Sequence, residues 1–197
     1  MKKNILLLLF IVFSNTVQSQ VLLSLLFGDK LNSEGLEFGL EGGVNYSTIS
    51  NMGDKYISDY NLGFYFDVTL NEKLHLDTGV LVKSNMGTNN LTHEDLNFLG
   101  IPIEPEPGNY RQKTSYFIVP ILLKYNLKNR IYFEAGPELA LMRKAHVEFN
   151  YSNENETIKL KHHNTDQINR FDAGVSLGTG YKLLKNNGMT LGIKYYF

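Results

Sequence analysis

The chain has 197 residues, 19 lysines and arginines against 20 aspartates and glutamates, 43% hydrophobic residues and no cysteine. That length suits one domain, the balanced charge without a basic cluster gives no footprint for nucleic acid, and the lack of cysteine excludes disulfides, thiolate metal ligation and a lipid-anchored cysteine. After the first residues, no stretch approaches the roughly 18 apolar residues of a spanning helix.

The N-terminus has the layout of a secretory signal. Lys2-Lys3 is a basic start, Ile5 to Phe13 an apolar run, and Val17-Gln18-Ser19 a cleavage site, so residues 1–19 are predicted to be removed before Gln20. Losing Lys2 and Lys3 leaves 17 basic against 20 acidic groups. Residues 20–35 do not alternate; Val21, Leu22, Leu25, Leu26 and Phe27, ended by Gly28, suggest a short amphipathic leader helix packed against one end of the domain that follows.

From residue 36 to 197 the dominant feature is period-two alternation, the mark of strands with one apolar and one polar face. Seven strands are predicted, over residues 36–47, 62–70, 74–83, 115–127, 131–142, 171–183 and 189–197. In the first, Leu36, Phe38, Leu40, Val44 and Tyr46 oppose Glu37, Gly39, Glu41 and Gly43. In the last, Leu191, Ile193, Tyr195 and Phe197 oppose Gly192, Lys194 and Tyr196. The links alternate between long (48–61, 84–114, 143–170) and short (71–73, 128–130, 184–188). Short turns on one side and long loops on the other are the rhythm of outer-membrane barrels. The strands are near the 9–11 residues that cross a bilayer when tilted. The fold class is therefore all-β: an up-and-down antiparallel transmembrane barrel, its partner the outer-membrane lipid. A soluble lipocalin-like carrier would alternate too, with the faces inverted. Glycines crowd the polar face here and aromatics mark the ends of the apolar one, which suits a narrow interior and an interfacial girdle.

With the polar face inward, the interior is predicted to hold Glu37, Glu41, Asp67, His75, Asp77, Lys83, Lys124, Glu134, Glu138, Asp172, Lys182 and Lys194. A barrel of about eight strands is filled by its own side chains, so these charges are expected to pair as a structural plug, not to line a pore for metabolites. No catalytic, cofactor or metal motif is present. His162-His163 are adjacent and point apart in a strand, and His93-Glu94 lacks the second histidine of a zinc protease. The segment 101–108 (IPIEPEPG) is stiff and acidic, an extended external loop.

The strand residues FGLEGGVNYS (38–47), YFIVPILLKY (116–125), Ala135-Gly136-Pro137 and Phe171-Asp172-Ala173-Gly174 resemble the PorT-like outer-membrane β-barrel family of Bacteroidetes. The resemblance implies an eight-stranded barrel in the cell envelope, one branch of the family being linked to protein secretion. The expected role is a non-enzymatic outer-membrane protein, structural or serving transport, secretion or adhesion through its external loops. The alternatives are an outer-membrane enzyme acting on lipid A or phospholipid, and the soluble carrier. Seven strands conflict with the even number that such barrels require. Either an eighth lies beyond this sequence, the favoured expectation, or one hides around residues 147–151 and 157–160. The first reading predicts a gap between the first and seventh strands, with interior charges exposed along it.

Overall fold

The computed structural model describes residues 32–152, 157–183 and 189–197, so the predicted signal and most of the leader lie outside the described residues. One antiparallel sheet contains all eight strands: β1 Leu36–Ile49, β2 Met52–Thr69, β3 Leu74–Asn89, β4 Asn109–Asn126, β5 Ile131–Ser152, β6 Thr157–His163, β7 Phe171–Lys182 and β8 Thr190–Tyr196. A six-residue helix, α1 (His93–Phe98), lies between β3 and β4, and a 3-10 turn (Thr165–Gln167) comes after β6.

The sheet is inside-out relative to a soluble protein. On its outer face Leu40, Val44, Ile121, Leu123, Phe133, Leu139, Leu177 and Ile193 are exposed, while Asp67, Asp77, Lys124, Glu134 and Glu138 on the inner face are buried. So continuous an apolar exterior is untenable in water and is what a bilayer demands. Residues 131–141 of β5, at about 3.3 Å each and tilted by about 40°, span roughly 25 Å, the height of the apolar band of an outer-membrane barrel.

Neighbouring strands pair in the order β1-β2-β3-β4-β5-β7-β8, with β6 attached to β5. β6 pairs with His146–Ser152 and β7 with Ile131–Leu141, so both use the same edge of β5, one above the other. The hidden strand thus exists, but it extends the sheet upward and leaves the wall at seven strands. β1 and β8 run in the same direction and are not paired with each other. The expected gap lies between them, and the Lys194 ammonium crosses it to Glu41 at 2.7 Å.

The strands overrun the predicted segments at the external end. The expected long link 48–61 is replaced by a turn at Ser50-Asn51, with Asn51 in the left-handed region at φ 60°, because β2 begins at Met52. The link 84–114 shrinks as β3 reaches Asn89 and β4 starts at Asn109, and β5 and β6 take most of 143–170. These extensions form a head above the apolar band.

Two bulges mark the transition. Opposite Phe117 of β4, β3 inserts an extra residue between Leu81 and Ser84, so that Val82 and Lys83 occupy the place of one. Opposite the Ser115–Tyr116 step, β5 inserts Arg143 between Met142 and Lys144. A bulge shifts the face of every later residue by one. Below it Met142 points in and Leu141 out; above it Ala145, Val147 and Phe149 are buried.

Candidate functional site: a charged interior and a packed head

The inner half of the barrel holds a linked set of charges. Lys124 on β4 reaches across to β3 and β2, donating to Asp77 and, at 3.0 Å, to Asp67. Asp67 also meets His75 Nδ1 at 2.5 Å. The Lys124 ammonium faces the Tyr132 ring at 5.0 Å, and the Tyr65 hydroxyl donates to Glu37 at 3.0 Å. Buried charges are tolerable only when paired in this way. Glu134 and Lys182 line the same interior, Glu138 is buried further up β5, and Asp172 near the external end of β7 accepts from the Tyr196 hydroxyl. Lys83 is the exception among the predicted interior residues. Its strand bulges one residue earlier, so the ammonium lies 4.5 Å over the Tyr60 ring on the outer face.

Glycines make room for the interior tyrosines. Gly39 lies directly opposite Tyr65 in the register, and a Cβ on it would come within 2.4 Å of that ring. Gly180 stands in the same relation to Tyr132, also at 2.4 Å. Each aromatic lies flat across the neighbouring strand, and only a residue without a side chain permits it.

These groups surround a cavity of about 600 Å³ that opens along the gap between β1 and β8. Its lining is polar, with Glu37, Glu41, Asp77, Lys124, Glu134 and Lys194 facing in. Toward the outside comes an apolar layer, formed by Leu81, Ile118 and Ala140 with Met86 and Tyr116 packed against them. Lys124, Asp67, Asp77 and Glu134 lie below this layer, whereas Asp172 stands directly opposite Ala140 within it.

Above that layer the head has a core of its own. Leu91, Leu96, Leu99 and Ile101 from the β3–β4 connection pack on Tyr110 of β4 and on Val147 and Phe149 of β5. Tyr110 and Phe149 meet with ring centroids 4.7 Å apart. The connection is fixed at several points. Thr92 caps α1 by accepting from the Asp95 N–H, and the Asp95 carboxylate accepts in return from the Thr92 N–H at 2.8 Å. The same carboxylate accepts from Gly53 N–H at 3.2 Å, tying the helix to the β1–β2 hairpin. Burial opposes ionisation of Asp95, but these hydrogen bonds outweigh it and hold the carboxyl below its ordinary value. The stiff segment 101–108 is anchored by buried Ile101 and by the Tyr110 hydroxyl, which accepts from Glu104 N–H at 2.7 Å. Gln112 and Asn164, both buried, exchange amide hydrogen bonds at 3.2 and 2.8 Å.

The head residues lie outside the predicted site set. The one readable signal is Thr92-His93-Glu94-Asp95, a capping-box pattern inside a segment whose composition otherwise reads as a loop. On the outer face of the head Glu148 gathers Lys113 at 3.4 Å, Lys161 at 3.2 Å and His146 at 3.2 Å. Burial raises the Glu148 carboxyl, but hydrogen bonds from His146 and Lys161 and the Lys113 charge prevail and bring it down to about 2. His162 Nε2 lies 3.3 Å from Glu104, out of line for a hydrogen bond. Among the described residues no group of three or more His, Cys, Asp or Glu is placed to hold a metal ion, and no helix is long and apolar enough to cross a membrane.

The barrel wall, the buried charges and the apolar band together describe a protein that crosses a bilayer with strands. No curated protein and no solved structure matches the chain. A family model does, the outer membrane protein beta-barrel domain, over residues 18–197. The chain belongs to that family and is an outer-membrane β-barrel protein.

Proposed function

We propose that the chain is a non-enzymatic, PorT-like barrel of the Bacteroidetes type, delivered by a signal cleaved before Gln20, whose function resides in its external head. The observation that carries this reading is the packed core of that head, built from Leu96, Leu99, Val147 and Phe149. Loops that served only to connect strands would need no core of their own; a fixed surface for a surface or secretion partner does. The interior favours a structural role. Lys124 pairs with Asp67 and Asp77, Lys194 pairs with Glu41, and the layer of Leu81, Ile118 and Ala140 lies between the Lys124 pairs and the head. Glu37, Glu41, Asp67, His75, Asp77, Lys124, Glu134, Glu138, Asp172, Lys182 and Lys194 are thus assigned to holding the wall together. The Thr69 hydroxyl lies 3.4 Å from His75 Nδ1, but the Asp67 carboxylate holds that same nitrogen at 2.5 Å, which supports reading His75 as a member of the charge set.

The test replaces residues 90–108 by a short turn and returns the variant to a deletion strain. The variant is expected to reach the outer membrane, migrate heat-modifiably on gels, and fail to restore the secretion or adhesion defect of the deletion. Full rescue by the headless barrel contradicts the proposal, as does an altered lipid A mass spectrum in the deletion strain. The processed N-terminus, read by mass spectrometry, is expected at Gln20.

A further inference from the structure

We propose that the outer face of the head is a collar that binds the anionic headgroups of the lipid leaflet around the barrel. The inference rests on the outer-membrane placement of the chain and is independent of any protein partner of the head.

The register of β3 to β6 places cations in successive rows directly above the apolar band. The lowest row holds Lys83, Arg143 and Lys144, the first two being the bulge residues that turn outward. Two residues further up comes Lys113, level with His146 and His163; above it Arg111 and Lys161 flank Glu148, and Lys159 lies highest, opposite Asn150. In the outward rows of β4, β5 and β6 the sole carboxylate among the described residues is Glu148. The whole chain is close to neutral, with a net charge of −1. The excess of positive charge on this face is therefore local and is matched by acids kept in the interior. A face that merely met water would have no reason to sort its signs.

The depth of the lowest row is fixed by two independent contacts. The Arg143 guanidinium lies 4.7 Å from the centre of the Phe117 ring, and the Lys83 ammonium lies 4.5 Å over the Tyr60 ring. Phe117 and Tyr60 are exposed on the lipid-facing side. A cation resting on the last aromatic of the band sits at the boundary of hydrocarbon and headgroup, where long basic side chains extend toward phosphate. Lys144 makes no ion pair among the described residues. Successive rows about 6–7 Å apart along the strand match a headgroup layer that carries several negative charges at different heights, as phosphorylated glycolipids do.

The experiment uses the full chain refolded into phosphatidylcholine nanodiscs containing a minor fraction of bisphosphorylated lipid A. Native mass spectrometry after gentle detergent release reads which lipid stays bound. Lipid A is expected to be enriched over phosphatidylcholine, and the triple change Lys113→Gln, Arg143→Gln, Lys144→Gln to lower that enrichment by roughly tenfold or more. The change Lys73→Gln with Lys128→Gln, at the opposite end of the barrel, is expected to leave it intact. No enrichment by the parent chain, or equal loss in both variants, overturns the proposal. Inorganic phosphate and sodium chloride at equal ionic strength are expected to release the lipid equally; selective release by phosphate overturns the lipid assignment in favour of a discrete phosphate site. Should the triple variant not migrate heat-modifiably, Lys144→Gln, which breaks no ion pair, decides in its place. A chain that does not enter the bilayer at all contradicts the barrel reading itself, an outcome distinct from insertion without enrichment.

Discussion

The lower and upper halves of β5 are built on opposite principles. In the lower half Phe133, Leu139 and Leu141 face outward, and Tyr132, Glu134 and Glu138 are buried inside. In the upper half Val147 and Phe149 are buried inside, and Lys144, His146 and Glu148 face outward. One strand thus serves two surroundings, hydrocarbon below and a polar, hydrated layer above, and the change falls at the Arg143 bulge. Which face is apolar is set by what surrounds the strand and not by the strand's own propensity.

The sharpest way to break this contrast is to disturb each half with a change that the other would tolerate. Lys124→Met leaves Asp67 and Asp77 buried without their cation and is expected to cost about 3–5 kcal/mol, read as a loss of heat-resistant folded barrel. Phe149→Ala opens a cavity in the head and is expected to cost about 3–5 kcal/mol. That loss is predicted to be local: amide exchange accelerates in β6 and α1 while β7 and β8 keep their protection. On the outer face, Ile121→Arg at the middle of the band is expected to cost about 2–4 kcal/mol in a bilayer, measured by urea unfolding from lipid vesicles. Gly180→Val, which drives Tyr132 from its place across β7, is expected to cost about 1–3 kcal/mol by overpacking.

Acid supplies the smallest and most selective test. Asp95 and Glu148 both have carboxyls below their ordinary values. The stability they contribute is present above their unfolded values, 3.8 for Asp95 and 4.5 for Glu148, and is lost as pH falls through the folded ones, about 2 for Glu148. Burial holds His146 below its ordinary 6.5, so its protonation as the medium acidifies weakens the head in the same direction. The head is therefore expected to begin loosening as pH falls below about 6, seen as faster amide exchange in β5 above Lys144, before the carboxylate range is reached in which the buried pairs of the wall are also protonated. Simultaneous loosening of head and wall would contradict the separation of the two.

The wall is legible in the sequence because hydrocarbon outside and charge inside enforce alternation: Leu36 to Tyr46 and Leu191 to Phe197 can be assigned residue by residue. The head is not legible, for a specific reason. Leu139, Leu141, Ala145, Val147 and Phe149 all have odd numbers, so the apolar parity continues through the bulge. Before Arg143 that parity marks the outside, and after it the inside. The sequence records the alternation but not the extra residue that inverts it. The same blindness puts Lys83 indoors, since Val80 and Val82 face out and simple alternation turns residue 83 inward. Along β2 the residues Met52 to Tyr60 are mixed in character and give no clean period, so the strand reads as a loop. Apart from Lys83, the residues assigned to the interior lie below the bulges, where the alternation is unbroken.

The outer face of β5 passes from lipid to water at Arg143, and that boundary can be measured directly. The chain contains no cysteine, so single cysteines introduced in turn at Phe133, Leu139, Leu141, Lys144, His146 and Asn150 are each unique. Their reaction with a membrane-impermeant maleimide in lipid vesicles locates the change of environment. Protection is expected through Leu141 and rapid labelling from Lys144 upward, with a cysteine at Val147 again protected. Labelling below Arg143, or protection that continues past it on the outer face, would contradict a lipid-to-water boundary at the bulge.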